Sequence, residues 1–205
     1  MKIKTILLTA FVAIIAVISG FSPSDNPYQP GDKVADFKLK NIDDKMVSLA
    51  DYKDAKGFII IFTCNHCPYS VLYEDRIIAL HNKYAALGYP VIAINPNDAV
   101  KEPSDSFDKM KVRAQEKAFP FVYLHDETQQ IARKFGAART PHVFIVTKNK
   151  KDIILNYIGA IDNNAKEADK ATEFYVQNAV DNLLADKKVE TNITKAIGCT
   201  IKWKE

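Results

Sequence analysis

The run GFIIIF, Gly57–Phe62, constrains the fold of this chain more than any other segment. It is continuously apolar and rich in β-branched residues, with no alternating polar positions. Such a strand is typical of a sheet that is covered on both faces. Apolar residues at helical spacing follow from about residue 66 to residue 86, and Gly88 supplies a C-terminal stop. The segment therefore predicts a buried strand followed by a helix.

The other segments predict strands and helices in an order that favours an α/β sandwich. Short strands are predicted in ADFKLKN and KMVSL, buried strands in YPVIAIN and FPFVYL, and a hairpin in HVFIVT and DIILNYIG. One helix is predicted to open at Ser104 or Asp105, a second to end at Gly136, and a last one to cover about 165–185. The predicted fold class is therefore α/β, a central mixed β-sheet with helices on both faces.

The N-terminus predicts export. Lys2 and Lys4 precede the apolar run Ile6–Ile18, and the small residues Ser19 and Gly20 follow, which is the order of a secretory signal peptide. The apolar run has 13 residues, whereas a helix that spans a bilayer needs about 20. An uncleaved N-terminal membrane anchor is the alternative interpretation.

The remainder of the chain predicts a single domain. Residues 1–20 are expected to be the signal peptide, 21–30 a linker rich in Pro, Ser and Asn, and 31–205 one folded domain with a C-terminal extension. The 28 Lys and Arg residues, two of which lie in the leader, nearly balance the 25 Asp and Glu residues. This balance gives no indication of nucleic-acid binding. An exported protein works where disulfides form and persist.

Two cysteines follow the buried strand in the sequence CNHC, Cys64 and Cys67. A thiol in the first turn of a helix ionises more easily, because unpaired N–H groups give that end a partial positive charge. One helical turn separates the cysteines, so their sulfurs can meet. Asn65 and His66 lie between them, and His66 can favour the thiolate further. A C-x-x-C motif at a strand-to-helix junction indicates thioredoxin-like redox chemistry.

Several motifs together carry a family resemblance. GDKVADFKLKNIDDKMVSLADYK followed by GFIIIF resembles the N-terminal half of the redoxins, the alkyl hydroperoxide reductase and thiol-specific antioxidant relatives of thioredoxin. ARTPHVFIV resembles the segment in which thioredoxin-fold proteins carry a cis-proline, here at Thr140-Pro141. With CNHCPYS, AINPND and GCTIKWK, the chain is similar from about Gly31 onward to a bacterial subgroup of peroxiredoxin-like thioredoxin-family proteins.

The resemblance implies a thioredoxin-like fold and a thiol–disulfide oxidoreductase, which the predicted export would place in the periplasm. It implies Cys64 as nucleophile, Cys67 as resolving thiol and a redox disulfide between them. Thr140 and Pro141 would dock protein dithiol or disulfide substrates, and a membrane or periplasmic redox partner would reset the pair. No organic cofactor is expected, because the cysteines carry the electrons.

The chain departs from the family pattern at two positions. Phe58 stands where thioredoxin carries a buried acidic residue, so the sequence does not identify a proton acceptor for Cys67. His142 follows the proline, where the subgroup often carries an acidic residue.

Three other interpretations of the cysteine pair stay open. A cysteine-based peroxidase is favoured by Pro68, although the threonine and proline that precede a peroxidatic cysteine are missing in both frames. A copper or zinc carrier would use Cys64, Cys67, His66 and His142 as ligands. An inert staple is the third, although so short a loop would stabilise little.

The third cysteine, Cys199, lies near the end of the chain. It is interpreted either as a buried or paired structural thiol or as a third redox thiol that accepts the disulfide from the active-site pair.

Overall fold

The computed structural model describes residues 26–205, so the predicted signal peptide and the first half of the predicted linker, 21–25, lie outside the described residues. The strands and helices follow in the order β1 (Lys38–Asn41), β2 (Met46–Ser48), β3 (Gly57–Phe62), α1 (Pro68–Tyr84), β4 (Val91–Asn95), α2 (Phe107–Glu116), β5 (Val122–His125), α3 (Gln130–Phe135), β6 (Arg139–Thr140), β7 (His142–Lys148), β8 (Ile153–Gly159), α4 (Tyr175–Leu184) and β9 (Cys199–Thr200).

Seven strands form one mixed sheet in the order β2-β1-β5-β4-β3-β7-β8. The central strands β3, β4 and β5 are parallel, and β1 and β7 pair antiparallel on either side of them. The short strands β6 and β9 form a separate antiparallel pair. The mixed sheet that the sequence predicts is confirmed.

Strand β3 contributes to two separate cores. Ile59 and Ile61 belong to the core on the side of α1, α2 and α4. Phe58, Ile60 and Phe62 belong to the core on the other side, which contains α3 and the segment before β1. All five side chains are fully buried, and each stabilises the fold by about 1.5–3 kcal/mol. Because helices cover both faces of the sheet, every side chain of β3 is buried, and this explains why the run is continuously apolar.

Helix α1 begins at Pro68 and has Cys67 as its N-cap, two residues later than the sequence pattern predicts. Proline fits the first helical position, and the residue before it prefers an extended backbone, which Cys67 adopts with φ −62° and ψ 123°. Cys64 therefore lies three residues before the N-cap and not in the first turn of the helix.

Two other predicted helix starts are wrong. The helix predicted to open at Ser104 or Asp105 has Ser106 as its N-cap, because Pro103–Asp105 forms a 3-10 helix of its own. The helix predicted over about 165–185 begins only at Tyr175. The Asn163 side-chain oxygen accepts hydrogen bonds from the backbone N–H groups of residues 172 and 173, which holds this segment as a loop.

The last residues of the chain return to the cysteines. Strand β9 pairs with β6, and Cys199 lies opposite Thr140 in the register. Ile201 is buried in the core on the α3 side, and Trp203 packs against the same core. The sequence analysis did not predict this strand. Within residues 26–205 no helix combines the length and the apolar character needed to cross a membrane.

Candidate active site

The cysteine loop, Thr63–Cys67, joins the carboxyl end of β3 to the start of α1. Its first residue is tied to the neighbouring strand, since the Thr63 N–H donates to the Ile94 carbonyl at 2.8 Å. The carboxyl ends of parallel strands are the edge at which open α/β sheets bind ligands. Cys64 is 3% exposed and Cys67 is fully buried, so both sulfurs lie beneath the surface.

Cys67 forms a disulfide with Cys199, across 132 residues of sequence and with a Cα–Cα distance of 6.0 Å. Cys64 keeps a free thiol. Cys199 is thus paired, as one interpretation of the sequence has it. The partner is a cysteine of the active-site motif, however, and not a remote structural thiol. The predicted Cys64–Cys67 disulfide stays a prediction, because Cys67 is held in a different bond.

Thr140 contacts the sulfurs of both cysteines of the motif. Its hydroxyl oxygen lies 3.1 Å from the Cys64 Sγ, and its carbonyl oxygen lies 3.2 Å from the Cys67 Sγ. The Thr140–Pro141 peptide bond is cis, as the resemblance implies. The structure therefore brings Thr140 and Pro141 to the cysteine loop, where the sequence analysis expects them.

The pKa of the Cys64 thiol is raised, mainly by burial and further by the negative charge of Asp105. Hydrogen bonds from Thr140, the Cys67 N–H and Ser70 act in the opposite direction but do not outweigh burial. The expectation that a helix N-terminus lowers this pKa is wrong for the form with the Cys67–Cys199 disulfide. Cys64 stands ahead of the helix and is buried, and burial disfavours the charged form of a thiol.

Asp105 is a fully buried carboxylate beside the cysteine loop. Its Oδ1 accepts a hydrogen bond from the Asn65 N–H at 2.6 Å. Its Oδ2 accepts one from the Asn97 side-chain amide at 2.6 Å and lies 2.5 Å from Nδ1 of His66. A buried carboxylate requires hydrogen-bond partners, and both of its oxygens have them here. Asp105 therefore fixes the two residues that separate the cysteines.

Asn65 and His66, the predicted modulating residues, are held by further contacts. The Asn65 side-chain N–H donates to the Ser104 carbonyl at 2.9 Å, and the Tyr123 hydroxyl donates to the Asn65 side-chain oxygen at 2.9 Å. Nε2 of His66 lies 3.5 Å from a carboxylate oxygen of Glu102. The loop between β4 and α2 thus holds the cysteine loop from one side.

Sequence reasoning treated Asp105 only as a helix cap. A signal for its role was available, because PNDAVKEPSDS follows β4, the parallel neighbour of β3. Loops that follow adjacent parallel strands meet at the same edge of the sheet. A polar loop in that position can reach the cysteines.

The predicted set of metal ligands is not assembled. Among the residues described, Cys64, His66 and Asp105 have ligand atoms within 4.8 Å of one another, and this group includes neither Cys67 nor His142. Cys67 is bonded to Cys199, and both oxygens of Asp105 already accept hydrogen bonds. A cation here would have to displace those donors, so the residues fit a hydrogen-bonded network better than a metal centre.

His142 has a different environment. Its Nδ1 accepts a hydrogen bond from the Ala138 N–H at 3.4 Å, and its ring packs on Phe144 with centroids 4.6 Å apart. Burial, and secondarily the charge of Arg139, lower its pKa to about 4. His142 is therefore neutral at physiological pH and packs as a core residue.

Comparison with known proteins places these features in a family. Residues 30–153 match the AhpC/TSA family. A hypothetical protein from Sinorhizobium meliloti is 32% identical, with 87% of this chain and 97% of that chain covered and a TM-score of 0.79. An uncharacterized conserved protein from Geobacillus kaustophilus is 36% identical, with coverages of 87% and 94% and the same TM-score.

A putative thiol:disulfide interchange protein DsbE from Chlorobium tepidum shares the fold. It is 23% identical, with 62% of this chain and 84% of that chain covered and a TM-score of 0.51. The search among curated proteins found no match.

The family match covers well over half of the chain and contains β1 to β7 with the cysteine loop and Thr140-Pro141, whereas Cys199 lies beyond it. The resemblance inferred from the motifs is thereby confirmed. The chain belongs to the AhpC/TSA family and is a redox enzyme of the thioredoxin-like fold.

Proposed function

We propose that this protein is an exported thiol–disulfide oxidoreductase that exchanges electrons with cysteine pairs of other proteins. One observation carries the proposal: the free Cys64 thiol and the Cys67 sulfur of the disulfide both contact Thr140. Thiol–disulfide exchange requires a sulfur nucleophile beside a disulfide. The cysteine loop supplies both within one buried site.

The reaction starts from the fully reduced protein. The Cys64 thiolate attacks one sulfur of a partner disulfide, that S–S bond breaks, and the second partner sulfur leaves as a thiolate and takes up a proton. The Cys67 thiolate then attacks the Cys64 sulfur, which forms the Cys64–Cys67 disulfide and releases the partner as a dithiol. Two electrons pass to the partner, and the reverse sequence oxidises a dithiol. A periplasmic or membrane redox partner resets the pair.

Asp105 and His66 are the groups best suited to handle the proton of this reaction. Phe58 occupies the position of the acidic residue of thioredoxin and lies in the core on the α3 side. Asp105 and His66, in contrast, form a carboxylate–imidazole pair, and one carboxylate oxygen and one ring nitrogen of this pair lie within 4.8 Å of the Cys64 Sγ. An imidazole that is held by a carboxylate and lies close to a thiol can act as a general base toward that thiol.

Reduction of the disulfides of an external protein, measured by the free thiols that appear, tests the proposal. Cys64→Ser is expected to abolish turnover, and Cys67→Ser is expected to accumulate a mixed disulfide between Cys64 and the substrate. Val100→Ser, a change at an 87% exposed position, is the control and should keep the full rate. Retention of the wild-type rate by Cys64→Ser would exclude the proposal.

A cysteine-based peroxidase is the second candidate. The AhpC/TSA match supports it, as does the buried Cys64 thiol beside the Thr140 and Ser70 hydroxyls. In this reaction the Cys64 thiolate would take the terminal oxygen of a hydroperoxide, become a sulfenic acid and release an alcohol or water. Hydrogen peroxide consumption by the reduced protein, compared with Cys64→Ser, distinguishes the candidates. A rate equal to that of a free thiol would remove the peroxidase.

Export rests on the N-terminal sequence, in which two lysines precede an apolar run and two small residues. Expression of the full chain in a bacterium, followed by fractionation and mass measurement, tests it. A periplasmic product lacking about the first 20 residues is expected from a signal peptide. A full-length product in the membrane fraction would indicate the anchor instead.

A further inference from the structure

The C-terminal tail, Gly198–Lys204, lies over the active-site cysteines as an added strand. Cys199 pairs with Thr140 in the antiparallel β6–β9 ladder. The Ile201 N–H donates to the Ala138 carbonyl at 3.3 Å, which extends the backbone ladder, and the Arg139 guanidinium donates to the Gly198 carbonyl at 2.9 Å. The edge that contacts both motif sulfurs is therefore occupied by the chain itself.

Contacts beyond the cysteine fix the register of the tail. The Lys202 N–H donates to the Asn97 side-chain oxygen at 2.9 Å, and the Lys202 carbonyl accepts from the Asp98 N–H at 2.9 Å and from the Gln129 side-chain amide at 2.8 Å. The Lys204 N–H donates to the Gln129 side-chain oxygen at 2.7 Å. These bonds align the backbone on the C-terminal side of Cys199, so the disulfide does not hold a loose chain end.

The residue before Cys199 has to be glycine. A Cβ at Gly198 would overlap the carbonyl carbon and oxygen of Thr140. These are backbone atoms beside Pro141, and they cannot move aside as a flexible side chain could. Any residue with a side chain at this position would push the tail away from the cysteines.

We propose that the C-terminal tail is an internal substrate, an extended cysteine-bearing strand that occupies the partner-docking edge and that Cys64 displaces by thiol–disulfide exchange. This inference rests on the proposed function and names the class of segment that its site accepts. Three observations carry it: the strand pairing at Thr140, the disulfide to Cys67, and the free Cys64 thiol at the same residue.

The displacement is balanced without an external oxidant or reductant. Cys64, as the thiolate, attacks the Cys67 sulfur, so the Cys64–Cys67 bond forms while the Cys67–Cys199 bond breaks. Cys199 leaves as a thiolate and takes up the proton that Cys64 lost. The number of disulfides does not change, but the tail is no longer covalently held. In this form the edge of β6 becomes available to another chain.

The contacts of the tail indicate which features a partner segment needs in order to replace it. Such a segment is extended, pairs antiparallel with Arg139 and Thr140, and carries a cysteine opposite Thr140. Because Gly198 has no room for a side chain, the residue before that cysteine must be glycine. Protein segments with a Gly-Cys pair in an exposed extended strand form the substrate class that fits.

Gly198→Val tests the proposal, with Ile197→Ala at the exposed neighbouring position as the matched control. The oxidised full-length proteins are treated with N-ethylmaleimide, and the labelled proteins are then denatured, reduced and digested with trypsin, which leaves Cys64 and Cys199 in different peptides. Wild type and Ile197→Ala are expected to react slowly, at Cys64. Gly198→Val is expected to react at least about tenfold faster, with the label at Cys199, because a released and exposed thiol reacts faster than a buried one.

Cys199→Ser provides a second measurement in case Gly198→Val does not fold. Its oxidation is expected to yield the Cys64–Cys67 disulfide, and trypsin should cut after Lys195 at least about tenfold faster than in wild type, because the tail has lost its covalent hold. The proposal is overturned if Gly198→Val keeps a slow Cys64 label, or if Cys199→Ser keeps a tail as protected as in wild type.

These readouts are independent of turnover. If the tail is released in both variants but no partner disulfide is reduced, the proposed function fails and the internal exchange stands. If turnover is normal while the tail never moves, the proposed function stands and the internal exchange fails.

Discussion

Asp105→Asn provides the sharpest test of how the active site is held together. The Asp105 carboxylate accepts hydrogen bonds from the Asn65 N–H and the Asn97 amide and pairs with His66, all at 2.5–2.6 Å. An asparagine keeps the shape but turns one of the two oxygens into an N–H donor, which then faces another donor. At least one bond to a charged group is lost, and one buried donor is left without an acceptor.

The magnitude follows from these bonds. A hydrogen bond to a charged group contributes about 1.5–3 kcal/mol, and an unsatisfied buried donor costs about 1–3 kcal/mol. The variant no longer buries a charge, and the desolvation free energy that it avoids offsets part of this loss of stability. We expect the free energy of unfolding to fall by about 2–3 kcal/mol. For a domain of this size that is a drop of about 5–10 °C in Tm.

The same substitution acts in the opposite direction on Cys64. The negative charge of Asp105 is one of the two causes that raise the pKa of the Cys64 thiol, so its removal should lower that pKa. The assay uses Cys67→Ser/Cys199→Ser protein, in which Cys64 is the sole cysteine, and measures the alkylation rate against pH. Asp105→Asn should be less stable and yet reach its maximum alkylation rate at lower pH.

Asp108→Asn is the matched control, because Asp108 lies three residues further on and is exposed. It removes the same charge from the chain but breaks no buried contact, so its free energy of unfolding should stay within about 0.5 kcal/mol of wild type. Equal Tm values for the two variants would refute the role of the network. A rise in the Cys64 pKa of Asp105→Asn would refute the electrostatic argument.

Two further predictions concern buried charged and titratable groups. Burial lowers the pKa of His142 from 6.5 to about 4, so the unfolded chain binds a proton before the folded chain does as the pH falls. The free energy of unfolding should therefore decrease by about 3 kcal/mol between pH 6.5 and pH 4. Urea unfolding of His142→Phe should show a smaller decrease over the same pH range. Glu74 is 4% exposed and accepts two hydrogen bonds from Arg113 at 2.7 Å each. Glu74→Gln should therefore lower the free energy of unfolding in urea by about 2–4 kcal/mol. Arg113→Lys keeps the positive charge and should lower the same free energy by less.

The central fold was predictable from the sequence because its signals are local. A continuous apolar, β-branched run such as Gly57–Phe62 predicts a strand that is buried on both faces of a sheet. Glycines such as Gly136 indicate where helices end. The start of α4 was not predictable to the same degree. Residues 165–174 allow helical spacing, but the Asn163 side chain holds them as a loop, and that competition is invisible in a pattern of apolar positions.

The site was predictable only in the parts that carry a motif. Cys64, Cys67 and Thr140-Pro141 come from separate segments, and the structure brings them together. The pairing of Cys199 was open, because the connectivity of three cysteines cannot be derived from their spacing. Strand β9 has only two residues and pairs with a segment about 60 residues earlier. So short a strand has no alternating apolar pattern from which it could be predicted.

Disulfide mapping during a redox titration of the wild-type protein tests the central claim most directly. We expect each molecule to form a single disulfide, partly as Cys67–Cys199 and partly as Cys64–Cys67. The ratio of these two forms should not change with the applied redox potential, because exchange between them consumes no electrons. Permanent confinement of the disulfide to Cys67–Cys199, with Cys64 always recovered as a free thiol, would contradict it.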